Sequence, residues 1–131
     1  MRTHTAERVA AILVGLEGAA LIVLAAWQIA ALAGGDTVSP ASAIALIVLT
    51  VAGAAIVLAF AVGVARGRSW GRSGGIVTQV LIVAVAIGAA TGAYAHPVTG
   101  LVIALPAVVA FVLLVIAARD AGRAASVDET E

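Results

Sequence analysis

The sequence predicts an all-α membrane protein whose four helices form a bundle across the bilayer, with both termini in the cytoplasm. Composition is the first observation behind this prediction: of 131 residues, 63% are hydrophobic and only 11% are charged, and the mean hydropathy is +1.20. Soluble domains are about half apolar and about one quarter charged. A soluble fold of this size would expose much of that apolar surface to water, so lipid is the expected surrounding medium.

Four long apolar runs are the second observation. A helix needs about 20 apolar residues to cross a hydrocarbon core of about 30 Å, and inside lipid only helical backbone bonds can satisfy such a segment, even one rich in Val and Ile. The connections are short, which predicts a single membrane domain over 1–131. The predicted helices are about 9–33, 43–65, 75–94 and 99–118, followed by a polar, flexible tail over about 121–131.

The distribution of arginine is the third observation, and it sets the orientation. The chain has no Lys, and its Arg residues precede the first run, lie between the second and third, or follow the fourth. The positive-inside rule places all three segments in the cytoplasm. The absence of Lys and Asn, together with abundant Ala, Gly, Val and Arg, is typical of a bacterium with a GC-rich genome, which predicts a multi-pass protein of the bacterial inner membrane. A cleaved signal peptide is the alternative for the first run, but that run is longer than the roughly 7 to 15 residues of a signal core. The arginines are Arg2, Arg8, Arg66, Arg68, Arg72, Arg119 and Arg123.

Glu17 is the most informative position within the apolar runs. A charged residue at the centre of a membrane helix costs roughly 2.5 to 3.5 kcal/mol, so such a side chain normally faces the bundle interior and has a partner. Gln28 lies within about 20° of Glu17 around the helix axis, which predicts that this face of the first helix points inward. Two interpretations stay open: Glu17 is a functional carboxyl, or it only locks helix packing.

The third helix supplies the predicted partner of Glu17. Thr78 and Gln79 follow the cytoplasmic boundary of that helix by about one turn, at a depth comparable to that of Glu17. We expect Gln79 to form a hydrogen bond with Glu17, worth about 0.6 to 2 kcal/mol in a membrane. The candidate polar site within the membrane therefore consists of Glu17, Gln28, Thr78 and Gln79.

The basic loop from Arg66 to Ser73 is the most distinctive string in the chain. Trp70 is placed where an indole anchors at the membrane interface, the arginines can reach lipid headgroups, and Ser73 is expected to cap the third helix. An anchoring and topogenic loop is one interpretation; a specific site for anionic lipid or a partner is the other. The candidate headgroup residues are Arg66, Arg68, Trp70 and Arg72.

Two rows of small residues predict close helix packing, within the chain rather than between copies of it. The first helix carries one row and the third helix the other, and Pro106 is expected to bend the fourth helix. The two rows are Ala11, Gly15 and Ala19, and Ala84, Gly88 and Gly92.

No motif in the sequence predicts catalysis. There is no Cys, and no nucleophile paired with a base, metal-ligand cluster or phosphate-binding loop stands out, so we expect no enzyme activity, cofactor, metal or nucleic-acid partner. The expected partners are membrane lipids, which include anionic ones, and a membrane protein or a second copy of the chain. The leading hypothesis is a structural or accessory subunit of an inner-membrane complex. The alternative is a small proton-coupled transporter that uses Glu17.

The loop and the start of the third helix carry a family resemblance. Arg66-Gly67-Arg68-Ser69-Trp70-Gly71-Arg72 before a helix with an early Gln79, together with Glu17 in the first helix, resembles a family of small four-helix membrane proteins of actinobacteria. The resemblance implies the architecture and little about activity. A second, weaker resemblance is to small multidrug resistance transporters, where a carboxylate in the first of four helices binds protons and cations, as Glu17 would here. The aromatic residues that surround that carboxylate have no counterpart in this chain.

Overall fold

The computed structural model describes residues 2–128, with side chains over 4–127, and it is a bundle of four long α-helices. Each helix is long and apolar enough to cross a membrane. The fold is therefore that of a multi-pass helical membrane protein, as predicted, and the described residues contain no strand. The helices are α1 (Arg2–Ala33), α2 (Pro40–Ala65), α3 (Ser69–Thr91) and α4 (Pro97–Asp128).

The helices are arranged as a ring in chain order. The closest pairs are the hairpins α1 with α2 and α3 with α4, and the ring closes through α2 with α3 and α1 with α4. Helices α1 and α3 therefore run parallel on one diagonal of the bundle, and α2 and α4 on the other. Because the start of α1 meets the start of α3 through Glu7 and Arg72, all seven arginines belong to segments at one end of the bundle.

All four helices begin earlier than the apolar runs predict, and α4 also ends later. Helix α3, in contrast, ends at Thr91, before its predicted end at about residue 94. Helix α2 begins at Pro40 because Ser39 caps it, accepting a hydrogen bond from the Ser42 amide, and proline suits the first helical turn. Helix α4 continues through Pro106 to Asp128, so residues 121–128 of the predicted tail are helical and 129–131 lie outside the described residues.

The start of α3 corrects one prediction. Ser73 does not cap this helix, because α3 begins at Ser69, with Arg68 in the capping position and no side-chain cap. The earlier start follows from a tight turn after α2. Gly67 has φ +66°, its amide bonds the Val64 carbonyl, and the Arg68 amide bonds the Gly63 carbonyl. This is the Schellman arrangement that glycine permits, and it leaves room for α3 to start at once.

Small side chains form the interior, and large ones cover the outside. The buried apolar residues are mostly Ala and Val, with Leu114 the largest, whereas Ile, Leu and Val remain exposed along all four helices. Such a surface suits lipid rather than water. Helices α2 and α3 approach closely at Gly63 and Gly71, where a Cβ on Gly71 would lie 2.5 Å from the Gly63 backbone.

The small-residue row that was predicted to pack against another helix faces outward instead. Ala84 and Gly88 are exposed on α3, and Gly92 is exposed just beyond it as the C-cap residue. A Cβ on Gly88 would meet nothing within 4 Å, so this row does not pack against another helix in the described part of the chain. The row faces outward because a different face of α3 is buried. That face carries Gly71, Gly75, Gln79 and Ala86.

Candidate functional site: polar links between α1 and α3

Glu17 and Gln79 meet in the middle of the bundle. Gln79 Nε2 donates a hydrogen bond of 2.6 Å to Glu17 Oε2, which confirms the predicted pairing. Gln79 is completely buried, and among the described side chains it is the one polar residue in the buried interior. Because α1 and α3 lie diagonally, this bond crosses the centre of the bundle rather than a contact between neighbouring helices.

A second polar link joins the same two helices nearer the arginine-rich end. Arg72 donates to Glu7 Oε1 at 3.0 Å and also to the Gly67 carbonyl at 2.8 Å. The side chains of Arg72 and Glu7 are only 12% and 20% exposed, so this ion pair is largely screened from solvent by protein. The two links lie about 15 Å apart along α1 and about 10 Å apart along α3, a difference that the long Arg side chain can span.

Sequence reasoning missed Glu7. Its signal is that Glu7, Val14, Leu21 and Gln28 recur every seven residues, which places Glu7 close to the inward face already assigned to α1. An acidic residue on that face, at the end of the bundle that holds the arginines, calls for a cationic partner.

The other two predicted polar residues do not join the Glu17 bond. Thr78 donates to the Gly74 carbonyl one turn earlier in its own helix. Gln28 is half-buried, and its Oε1 is buried without a hydrogen-bond partner among the described residues. The structure therefore brings Glu17 and Gln79 together and leaves Thr78 and Gln28 apart from them.

The Glu17 bond leaves two acceptors unsatisfied. Glu17 Oε1 and Gln79 Oε1 are both buried, and neither has a hydrogen-bond partner in the described part of the chain. Gln79 also lines a cavity of about 250 Å³ between α3 and α4, whose other walls are Val80, Val83, Val108 and Phe111. An orphaned buried acceptor normally attracts water or a donor on a ligand.

The basic loop divides into bound and free cations. Arg66 and Arg68 are exposed, while Arg72 is held by Glu7 and Gly67. Trp70 is half exposed, and its ring packs against Phe60 at a centroid distance of 6.1 Å. The headgroup role of this loop stays a prediction, and Arg72 is the member least free to serve it.

No cluster of His, Asp and Glu among the described residues could hold a metal ion. Comparison with known proteins adds no assignment: no family model, curated protein or solved structure matches this chain. The resemblance to the actinobacterial four-helix family and that to the multidrug transporters therefore both stay predictions.

Proposed function

We propose that this protein is a non-catalytic accessory subunit of a complex in the bacterial inner membrane, with its arginine-rich end in the cytoplasm. The observation that carries the proposal is the outward row of Ala84 and Gly88 on α3, continued by Gly92 at the C-cap. Rows of small residues let two helix backbones approach closely, and no helix over residues 4–127 packs on this row. It is a surface on which a helix of another membrane protein can pack.

The interior supports the same proposal. The Glu17 to Gln79 bond and the Glu7 to Arg72 pair both tie α1 to α3, so the principal polar groups of the bundle hold its own helices together. A bundle that is rigid inside and apolar outside is suited to act through its surface.

A substitution at Gly88 tests this proposal. Gly88→Leu fills the outward row without a clash, because nothing lies within 4 Å of a Cβ there. Affinity purification in mild detergent, with quantitative mass spectrometry, should find a membrane protein with the wild type and lose it with Gly88→Leu. Gly53→Leu is the matched control, since a Cβ on Gly53 of α2 likewise meets nothing within 4 Å. Equal recovery of all proteins with wild type and Gly88→Leu would refute the role of this row.

A second candidate is a proton-coupled transporter. It is favoured by two buried acceptors without a partner among the described residues, Glu17 Oε1 and Gln79 Oε1, and by the cavity between α3 and α4 that Gln79 lines. A carboxyl in a membrane interior that faces free acceptors is a common feature of proton relays. Glu17→Gln removes the exchangeable carboxyl proton while retaining an acceptor for Gln79.

The two candidates differ in their response to Glu17→Gln. If the protein is a transporter, proteoliposomes with an entrapped pH dye should lose proton flux while the variant remains as abundant as wild type. If it is an accessory subunit, wild type and variant should show the same flux as empty liposomes, and the co-purified partner should remain.

A further inference from the structure

A groove runs between α1 and α2 on the outer surface of the bundle, at the arginine-rich end. The groove has a volume of about 650 Å³ and is open to the surroundings. Arg8 lies at its mouth. Ala11 and Gly15 from α1 and Ala61 and Ala65 from α2 keep it deep, because their side chains are short. A Cβ on Gly15 would lie 3.8 Å from that of Ala61, so the two helices are in contact behind the groove. We call this feature the α1/α2 groove.

Its chemistry changes sharply along its length. Ile12, Leu58 and Val62 make its walls apolar, whereas the mouth is cationic. Arg8 is exposed, and Arg66, which directly follows the lining residue Ala65, is exposed as well. Neither makes an ion pair within residues 4–127, in contrast to Arg72. The groove therefore has one uncompensated cation, Arg8, at its mouth, and a second, Arg66, follows at the end of α2.

We propose that the α1/α2 groove binds one anionic phospholipid of the cytoplasmic leaflet, with an acyl chain along the groove and its phosphate at Arg8 and Arg66. The groove extends about 10 Å from Arg8 to Gly15, and one leaflet contributes about half of a hydrocarbon core of about 30 Å. An acyl chain that starts at Arg8 therefore stays in its own leaflet. Basic pockets between membrane helices on the cytoplasmic side bind anionic headgroups by the same logic.

A lipid suits this groove better than a helix does. A helix with side chains is about 10 to 12 Å wide, and one that packed here would place its own backbone or side chains beside Arg8, which has no ion-pair partner within residues 4–127. A phospholipid brings a thin apolar chain and a negative charge in the required order. This inference does not depend on the proposed accessory function.

Native mass spectrometry of the delipidated full-length protein tests the proposal, with phosphatidylglycerol and phosphatidylcholine of identical acyl chains as probes. We expect one phosphatidylglycerol to bind in preference to phosphatidylcholine. Arg8→Gln should weaken that binding about fivefold, and Arg8→Gln with Arg66→Gln about 25-fold. Arg8→Lys should retain most of the binding, because it keeps the charge.

Gly15→Leu tests the apolar part independently of charge. Gly15 lines the groove, and a Cβ there makes only an ordinary contact with Ala61 at 3.8 Å. We expect a Leu side chain at this position to take up part of the groove, displace the acyl chain and abolish the single tight lipid while both arginines remain. Arg119→Gln and Gly53→Leu are the matched controls and should bind as wild type does. Equal binding of the two lipids, an equal loss with Arg119→Gln, or a dimer or partner helix that Gly15→Leu releases instead of lipid would each overturn the proposal.

Discussion

Gln79 donates its amide hydrogen to Glu17 across the diagonal of the bundle, at 2.6 Å, and thereby connects two parallel helices that are not ring neighbours. We expect a coupling energy of about 0.6 to 2 kcal/mol between these side chains. A double-mutant cycle with Glu17→Leu and Gln79→Leu, read by reversible unfolding in mixed micelles, measures it. We predict the coupling energy and not the effect of either single substitution, because each Leu also removes a buried polar group and so changes stability by itself.

Gln28 supplies the control for this cycle. It shares the inward face of α1 but makes no bond to Gln79. Gln28→Leu combined with Gln79→Leu should therefore be additive within about 0.5 kcal/mol. A coupling as large as that of Glu17 would mean that the cycle reports general packing.

The Glu7 to Arg72 ion pair should stabilise the bundle by more than a surface pair does. Both side chains are largely buried, and Arg72 also holds the Gly67 carbonyl. Bonds to charged groups contribute about 1.5 to 3 kcal/mol, so we expect a coupling in that range between Glu7→Gln and Arg72→Gln. The coupling should persist at roughly 0.5 M salt, because partly buried pairs are weakly screened. Arg68→Gln, at an exposed position, should leave stability unchanged.

Close approach of α2 and α3 should make Gly71 intolerant of any side chain. A Cβ there would lie 2.5 Å from the backbone of Gly63 and of Val64. Gly71→Ala should therefore lower the free energy of unfolding by about 1 to 3 kcal/mol, as overpacking does. Gly53→Ala, where the added methyl meets nothing, should leave stability unchanged or raise it by up to about 1 kcal/mol. Similar losses for both variants would contradict the contact.

Orientation can be measured directly because the chain has no cysteine of its own. A membrane-impermeant maleimide applied to intact cells should label Val38→Cys and Tyr94→Cys, which lie exposed in the two connections without arginine. Ser69→Cys should be labelled only after lysis. Labelling of Ser69→Cys in intact cells would reverse the proposed topology.

The sequence predicts the number of helices, their approximate positions and the partner of Glu17. These follow from strong constraints: lipid requires long apolar helices, and a carboxyl inside them requires a bonding partner. Helix ends were harder to predict, because hydropathy measures only the apolar part of a helix. Asp120 and Arg123 are polar, yet α4 continues past them to Asp128.

The contact of Gly63 with Gly71 was missed for a different reason. Small residues are frequent in every helix of this chain, so spacing alone does not determine which of them face a neighbour. Ala84, Gly88 and Gly92 are four residues apart, as Gly71 and Gly75 on the buried face are, yet they face outward. The face of α3 that is buried is the one that carries Gln79, whose amide needs a hydrogen-bond partner inside the bundle.

The diagonal placement of the two polar links has a consequence for the order of assembly. Glu7 and Glu17 belong to the first hairpin, whereas Arg72 and Gln79 belong to the second. While only the first hairpin has entered the bilayer, neither carboxyl has its partner on α3. The second hairpin supplies both partners when it docks. The two links therefore favour one register between the hairpins, because a shift of one helical turn would leave both bonds unmade.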